Sequence, residues 1–255
     1  MDTDTARIAH GGKGLYGSRI GILMLETKFP RIPGDMGNGL TWPFPVLYKV
    51  VPGATPDRVV RHKSAGLINA FLDAASELVE LGADGITTTC GFLSLYQREL
   101  AAHVRVPVAA SSLMQIPLVE RILPPGRRVG VLTVSAASLT SAHFIAAGAD
   151  PKTPVAGTEN GREFTRVMLD EKHTLDAAIA ERDILDAGDA LVSQHPDIGA
   201  VVLECTNMVP YARALSDHLL LPVYSIYTFV TWFQAGLAPR DFGPPGSGAR
   251  EWRER

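Results

Sequence analysis

The chain contains two cysteines, Cys90 and Cys205, and both sit in the same local pattern. Residues 90–108 align without a gap on residues 205–223, and seven of 19 positions are identical: Cys90/Cys205, Tyr96/Tyr211, Arg98/Arg213, Leu100/Leu215, His103/His218, Pro107/Pro222 and Val108/Val223. Each cysteine follows a short apolar run and precedes a helical stretch. That is the carboxyl end of a parallel strand, where open α/β sheets place their ligand crevices. It is also the amino end of a helix, where backbone N–H groups favour an anion and help a thiol ionise below its ordinary pKa of about 8.5. Two halves facing each other about a pseudo-two-fold axis would bring the sulfurs to one crevice from opposite sides. One thiolate could then remove a proton from the carbon next to a carboxylate, and the opposite thiol could return one. A single buried cysteine is more often an apolar packing residue; the matched pair favours chemistry.

The elements that must position the cysteines repeat as well. Strands are predicted at 19–25, 85–89 and 106–110, with helices at 57–81 and 92–103. The order then begins again, with strands at 128–133, 200–203 and 221–225 and helices at 163–194 (with a break near Gly188) and 211–218. Strands separated by helices indicate parallel βαβ units with right-handed crossovers. Arg19-Ile-Gly-Ile-Leu23 pairs with Arg128-Val-Gly-Val-Leu132, so the duplication extends upstream of the cysteines. The expected architecture is α/β, with two pseudo-symmetric flavodoxin-like halves, each a parallel sheet with flanking helices, and the active site between them. Residues 18–112 form the first half and 113–225 the second, with 226–238 returning to the first. Residues 1–17 and 239–255, polar and rich in glycine and proline, read as flexible ends.

Composition narrows the function classes. At 255 residues the chain is one large domain or two small ones, and 46% apolar with 20% charged residues is ordinary for a globular protein. A net charge of −3 without a basic stretch gives nucleic-acid binding no electrostatic support. No apolar run approaches the roughly 20 residues of a membrane span, and the acidic start lacks the features of a signal peptide. The reading is a cytoplasmic protein. Two cysteines are too few for a disulfide framework or a structural zinc site, no dinucleotide or phosphate-loop fingerprint is present, and no metal site is expected.

Thr87-Thr-Thr-Cys-Gly91 and Glu204-Cys-Thr-Asn207, with the strands at 20–25 and 129–133, resemble the aspartate/glutamate/hydantoin racemase superfamily over about residues 18–238. The resemblance implies a cofactor-independent racemase or epimerase acting next to a carboxylate on an amino acid or its derivative, with Cys90 and Cys205 as opposed acid/base groups. It implies a small carboxylate-bearing substrate held by Thr89, Gly91, Thr206 and Asn207, with Thr133 and Ser135 after the first strand of the second half, and a homodimer. Two features depart from glutamate racemases. Glu26-Thr27 stands in place of an Asp-Ser motif, and Asn207 stands in place of a histidine. The alternatives are a maleate-type cis–trans isomerase with a nucleophilic cysteine, a non-catalytic small-acid binding protein, and a thiol redox protein.

The long loop 28–49 follows the first strand, so Asn38 and Trp42 are further candidates for the pocket wall, alongside Glu26. His103 and His218 fall in the last turn of a helix, where a favourable dipole interaction explains them. Strand alternation turns Glu204 away from its neighbouring cysteine.

Overall fold

The computed structural model describes residues 9–243. Two four-stranded parallel sheets carry the fold, and their strand orders match. The first runs β2-β1-β3-β4, built from β1 (Ile20–Leu25), β2 (Val46–Val51), β3 (Gly85–Thr88) and β4 (Val108–Ala109); the second runs β6-β5-β7-β8, from β5 (Arg128–Thr133), β6 (Val155–Gly157), β7 (Ile198–Leu203) and β8 (Val223–Tyr224). The central strands β1, β3, β5 and β7 are buried on both faces almost throughout. This explains why they read as continuous apolar runs rather than alternating ones.

Helices α1 (Ile68–Leu81) and α2 (Gln97–His103) serve the first half, and α3 (Ile116–Ile122), which packs on β5, α4 (Ser141–Ala146), α5 (Phe164–Leu169), α6 (Ala177–Gln194) and α7 (Ala212–Leu219) the second. The last helix, α8 (Ile226–Leu237), leaves the second sheet but packs on the first: Ile226, Phe229 and Val230 share a buried cluster with Ile20, Ile22, Met36, Trp42 and Ala109. Gly85 permits this approach, because a Cβ there would lie 2.5 Å from Leu237 and 2.7 Å from Phe233. Cross-bonds lock the halves together. Ser112 Oγ donates to the Leu203 carbonyl at 2.7 Å and Thr206 Oγ1 to the Thr89 carbonyl at 2.6 Å.

Several boundaries differ from the sequence expectation. The stretch 28–49 is not one loop. Its end forms β2, which pairs with β1 from Ile20↔Val46 to Leu25↔Val51. The predicted helix 57–81 divides into a π-helical turn at Asp57–Arg61 and α1, separated by Lys63 and Ser64 at φ 52° and 58°. The predicted helix 163–194 breaks at Asp170–Asp176 rather than near Gly188. Glu171 takes φ 52°, and the Asp176 carboxylate accepts from the Ala178 and Ile179 N–H groups to start α6. Gly188 lies inside α6 because α7 crosses there. At the ends, the Leu15 N–H donates to the Leu81 carbonyl at 2.7 Å and Lys13 pairs with Asp84, tying residues 13–15 to the first half. The remainder of the ends read from sequence as flexible, residues 1–8 and 244–255, lies outside the described residues.

A Cβ at Gly188 would sit 2.7 Å from Leu215 Cδ1. Gly188→Leu therefore overpacks the α6–α7 contact, and thermal unfolding should show a loss of about 1–3 kcal/mol.

Candidate active site

β3 and β7 end at equivalent places, and each chain then turns through a cysteine into a 3-10 segment. Cys90 caps Gly91–Tyr96, which runs on into α2; Cys205 caps Thr206–Tyr211, which runs on into α7. Both sulfurs are free thiols, buried, and they border one cavity. The cavity volume is about 30 Å³, room for about two waters. The wall is otherwise mostly apolar, with Leu25, Phe29, Phe92, Val134 and Met168 contributed by both halves.

Six of the ten residues singled out from sequence meet there: Cys90, Cys205, Thr89, Gly91, Thr206 and Asn207. The other four are placed differently, each held by a local partner. Glu26 caps the loop after β2, its Oε2 accepting from the Gly53 N–H at 2.7 Å. Asn38 turns into its own loop, with Nδ2 donating to the Arg31 carbonyl and Oδ1 accepting from the Leu40 N–H. Thr133 Oγ1 donates to Glu204 Oε2 at 2.6 Å, and Ser135 pairs with Ser138. Trp42 lies away from the cavity, stacked on Phe44 and Tyr227. His103 and His218 do close their helices remote from the thiols, bonding Ser76 and Asp189.

Glu204 is where strand alternation misleads. β7 ends at Leu203, so the alternation no longer governs the next residue. Glu204 is fully buried on the cavity wall, and a Cβ on Gly91 would lie 2.3 Å from its Oε1. Glycine at 91 is thus the space into which the carboxyl fits. Burial pushes the Glu204 pKa up to about 8, against the pull of the Thr133 bond. A neutral carboxyl therefore shares the cavity wall with the two thiols near pH 7.

The thiols also differ from expectation. The Phe92 N–H beside Cys90 and the Asn207 N–H beside Cys205 do favour the thiolate. Burial outweighs them. It pushes both thiols above the ordinary range, and charge on Glu204 pushes in the same direction.

The sequence reading missed Arg31 and Asp35. Arg31 is the one cation on the wall of this cavity. Its guanidinium lies 5.0 Å from the Phe29 ring centroid and donates to Asp35 Oδ1 at 2.7 Å and Thr27 Oγ1 at 3.0 Å. The available signal was the i,i+4 spacing of opposite charges directly after the first strand. Asp35 Oδ2 in turn accepts from Asn207 Nδ2 at 2.5 Å, joining the first-half loop to the residue beside Cys205.

No protein-family profile matches the chain. Among solved structures, an arylmalonate decarboxylase variant in a sulfate-associated form superposes with a TM-score of 0.61 at 18% identity, covering 91% of this chain and 95% of that one. Allantoin racemase from Pseudomonas fluorescens superposes with a TM-score of 0.57 at 12% identity, covering 86% and 90%. The chain shares the two-halved parallel α/β fold of these neighbours. Curated relatives point to another reaction. A dimethylsulfoniopropionate lyase from Durusdinium sp. clade D is 26% identical over 241 residues, 91% of this chain and 78% of its own length. Dimethylsulfoniopropionate lyase 3 from Emiliania huxleyi (strain CCMP1516) is 27% identical over 252 residues, 91% of this chain and 62% of its own length.

These relatives overturn the racemase expectation, and with it the assignment to the isomerases. The reason is chemical. A racemase and a β-eliminating lyase can begin with the same act, removal of a proton next to a carboxylate. The second step depends on whether the substrate carries a leaving group, which paired cysteines do not reveal. No helix among the described residues is long and apolar enough to cross a membrane.

The Glu204 pKa gives a stability signature. The group is raised from 4.5 to about 8 in the folded chain, so its contribution is fully present below pH 4.5 and is lost as pH rises toward 8. The loss is on the order of 5 kcal/mol at most. Glu204→Gln lacks this dependence. In thermal melts, its stability relative to the parent should increase from pH 4.5 to pH 8 and then level off.

Proposed function

We propose that the chain is a lyase that eliminates dimethyl sulfide from dimethylsulfoniopropionate or a close sulfonium acid. The observation that carries the reading is that both thiols border one small, mostly apolar cavity, in a chain whose curated relatives match along most of its length. In the reaction, a cysteine thiolate takes the proton from the carbon next to the carboxylate, forming an S–H bond. The C–H electron pair becomes the new carbon–carbon double bond. The bond from the β-carbon to sulfur breaks, and its electron pair stays on sulfur, which leaves as neutral dimethyl sulfide. Acrylate remains, and the thiol returns its proton to solvent. A neutral sulfide requires no acid to leave, so the second thiol transfers no proton.

The wall suits a zwitterion of this kind. N–H groups at the start of a helical turn lack carbonyl partners within it, and those that open after Cys90 and Cys205 suit a carboxylate, with Arg31 nearby. Phe29 and Phe92 offer aromatic surface to a sulfonium, which a ring face attracts as it does other cations. The low polarity of the cavity strengthens each of these interactions and excludes water from the carbanion-like transition state. With about 30 Å³ available, the loop carrying Phe29 and Arg31 must part from the α5 wall to admit substrate.

Headspace chromatography of dimethyl sulfide tests the reading directly. The parent chain should release sulfide and acrylate in equal amounts, faster as pH rises above neutral because the thiol must ionise. Cys90→Ala and Cys205→Ala should each lower kcat by about 10²-fold or more. Absence of sulfide release by the parent across sulfonium acids would refute the assignment.

A further inference from the structure

The two thiols are matched in sequence, but their surroundings are not. Cys90 has the Phe92 N–H nearby and faces the Arg31 charge as well as Glu204, while the Leu93 N–H donates to the Cys90 carbonyl at 3.1 Å. Cys205 has the Asn207 N–H nearby but faces Glu204, Cys90 and Asp35. The Asn207 side chain adds a second asymmetry. Its Oδ1 lies 3.6 Å from Cys205 Sγ, positioned to accept the thiol hydrogen.

That orientation is imposed from outside. Asp35 is buried, and its Oδ1 accepts from Arg31 Nη1 and from the Gly37 N–H, both at 2.7 Å. Its Oδ2 is left to face Asn207 Nδ2 at 2.5 Å. A carboxylate only accepts hydrogen bonds, so it selects the NH₂ end of the amide and turns the carbonyl end toward the sulfur. A carbonyl oxygen beside a sulfur favours S–H over S⁻. The equivalent position after Cys90 is Phe92, which has no such group.

We propose that Asp35 is a positioning residue that sets the Asn207 amide so as to hold Cys205 as a hydrogen-bonding thiol, leaving Cys90 as the sulfur that takes the proton. The assignment of the base rests on the lyase reading; the asymmetry between the thiols does not. In the elimination, the Cys90 thiolate becomes S–H and the Cys205 thiol keeps its hydrogen throughout.

Single-cysteine chains measure this without turnover. Thiolate ultraviolet absorbance followed against pH reports Cys90 in Cys205→Ser and Cys205 in Cys90→Ser, with the Cys90 midpoint expected at the lower pH. Adding Asp35→Asn allows the amide to flip and should lower the Cys205 midpoint by about one pH unit while leaving Cys90 nearly unmoved. Because Asp35→Asn also removes a charge that faces Cys205, Asn207→Leu, which removes the acceptor and keeps that charge, must shift Cys205 in the same direction; an unmoved midpoint there overturns the clamp. A purely structural role for Asp35 would move both midpoints together or neither, and that result, or a Cys205 midpoint below that of Cys90, overturns the proposal. In sulfide release, Cys205→Ser should retain at least about ten times the rate of Cys205→Ala, because a hydroxyl still bonds Asn207 Oδ1 and keeps the wall in place, whereas Cys90→Ser should be as inactive as Cys90→Ala. Absence of sulfide release by the parent, with the thiol asymmetry intact, refutes the lyase reading and the assignment of Cys90 as its base, but not the amide clamp.

Discussion

Removal of water from two thiols and a carboxyl in one small cavity is the constraint on which the rest of the structure depends. Ionising any one of them in apolar surroundings is costly, and ionising two together costs more. The chain meets this cost by keeping Glu204 neutral around pH 7 and by aiming backbone N–H groups at both sulfurs. It adds a single guanidinium, itself balanced by Asp35. A solvated site with the same residues would have ordinary thiols and a charged glutamate.

Maintaining that cavity requires both halves at once. The wall takes residues from loops after β1, β3, β5 and β7 and from α5, so neither sheet can form it alone. The cross-bonds from Thr206 to the Thr89 carbonyl and from Ser112 to the Leu203 carbonyl lie close beside the thiols. They satisfy backbone carbonyls that would otherwise be buried without partners, and they fix the distance across the cavity. Helix α8 extends the coupling by joining the end of the second sheet to a face of the first.

Duplication supplies the frame, and departures from it supply the chemistry. Both sheets share one strand order, and both cysteines begin the same kind of turn. Gly91 and Thr206 occupy equivalent positions, yet the glycine makes room for Glu204 while the threonine bonds across to the other half. Phe92 and Asn207 are likewise equivalent, and only the second carries a polar group to its cysteine.

The strands were legible because sheets covered on both faces demand continuous apolar runs, and the cysteines because two equivalent thiols are conspicuous in a chain with no others. Both are local properties, written in residue type and spacing, and they determined the α/β halves and the pair of sulfurs. Arg31, Asp35 and the inward turn of Glu204 were decided only by the tertiary structure. Their roles come from neighbours far away in sequence, such as Asn207 for Asp35 and Gly91 for Glu204, and from burial that exists only once the halves meet. Thiol ionisation belongs with them, since a helix end seen in sequence predicts one direction and the depth of burial reverses it.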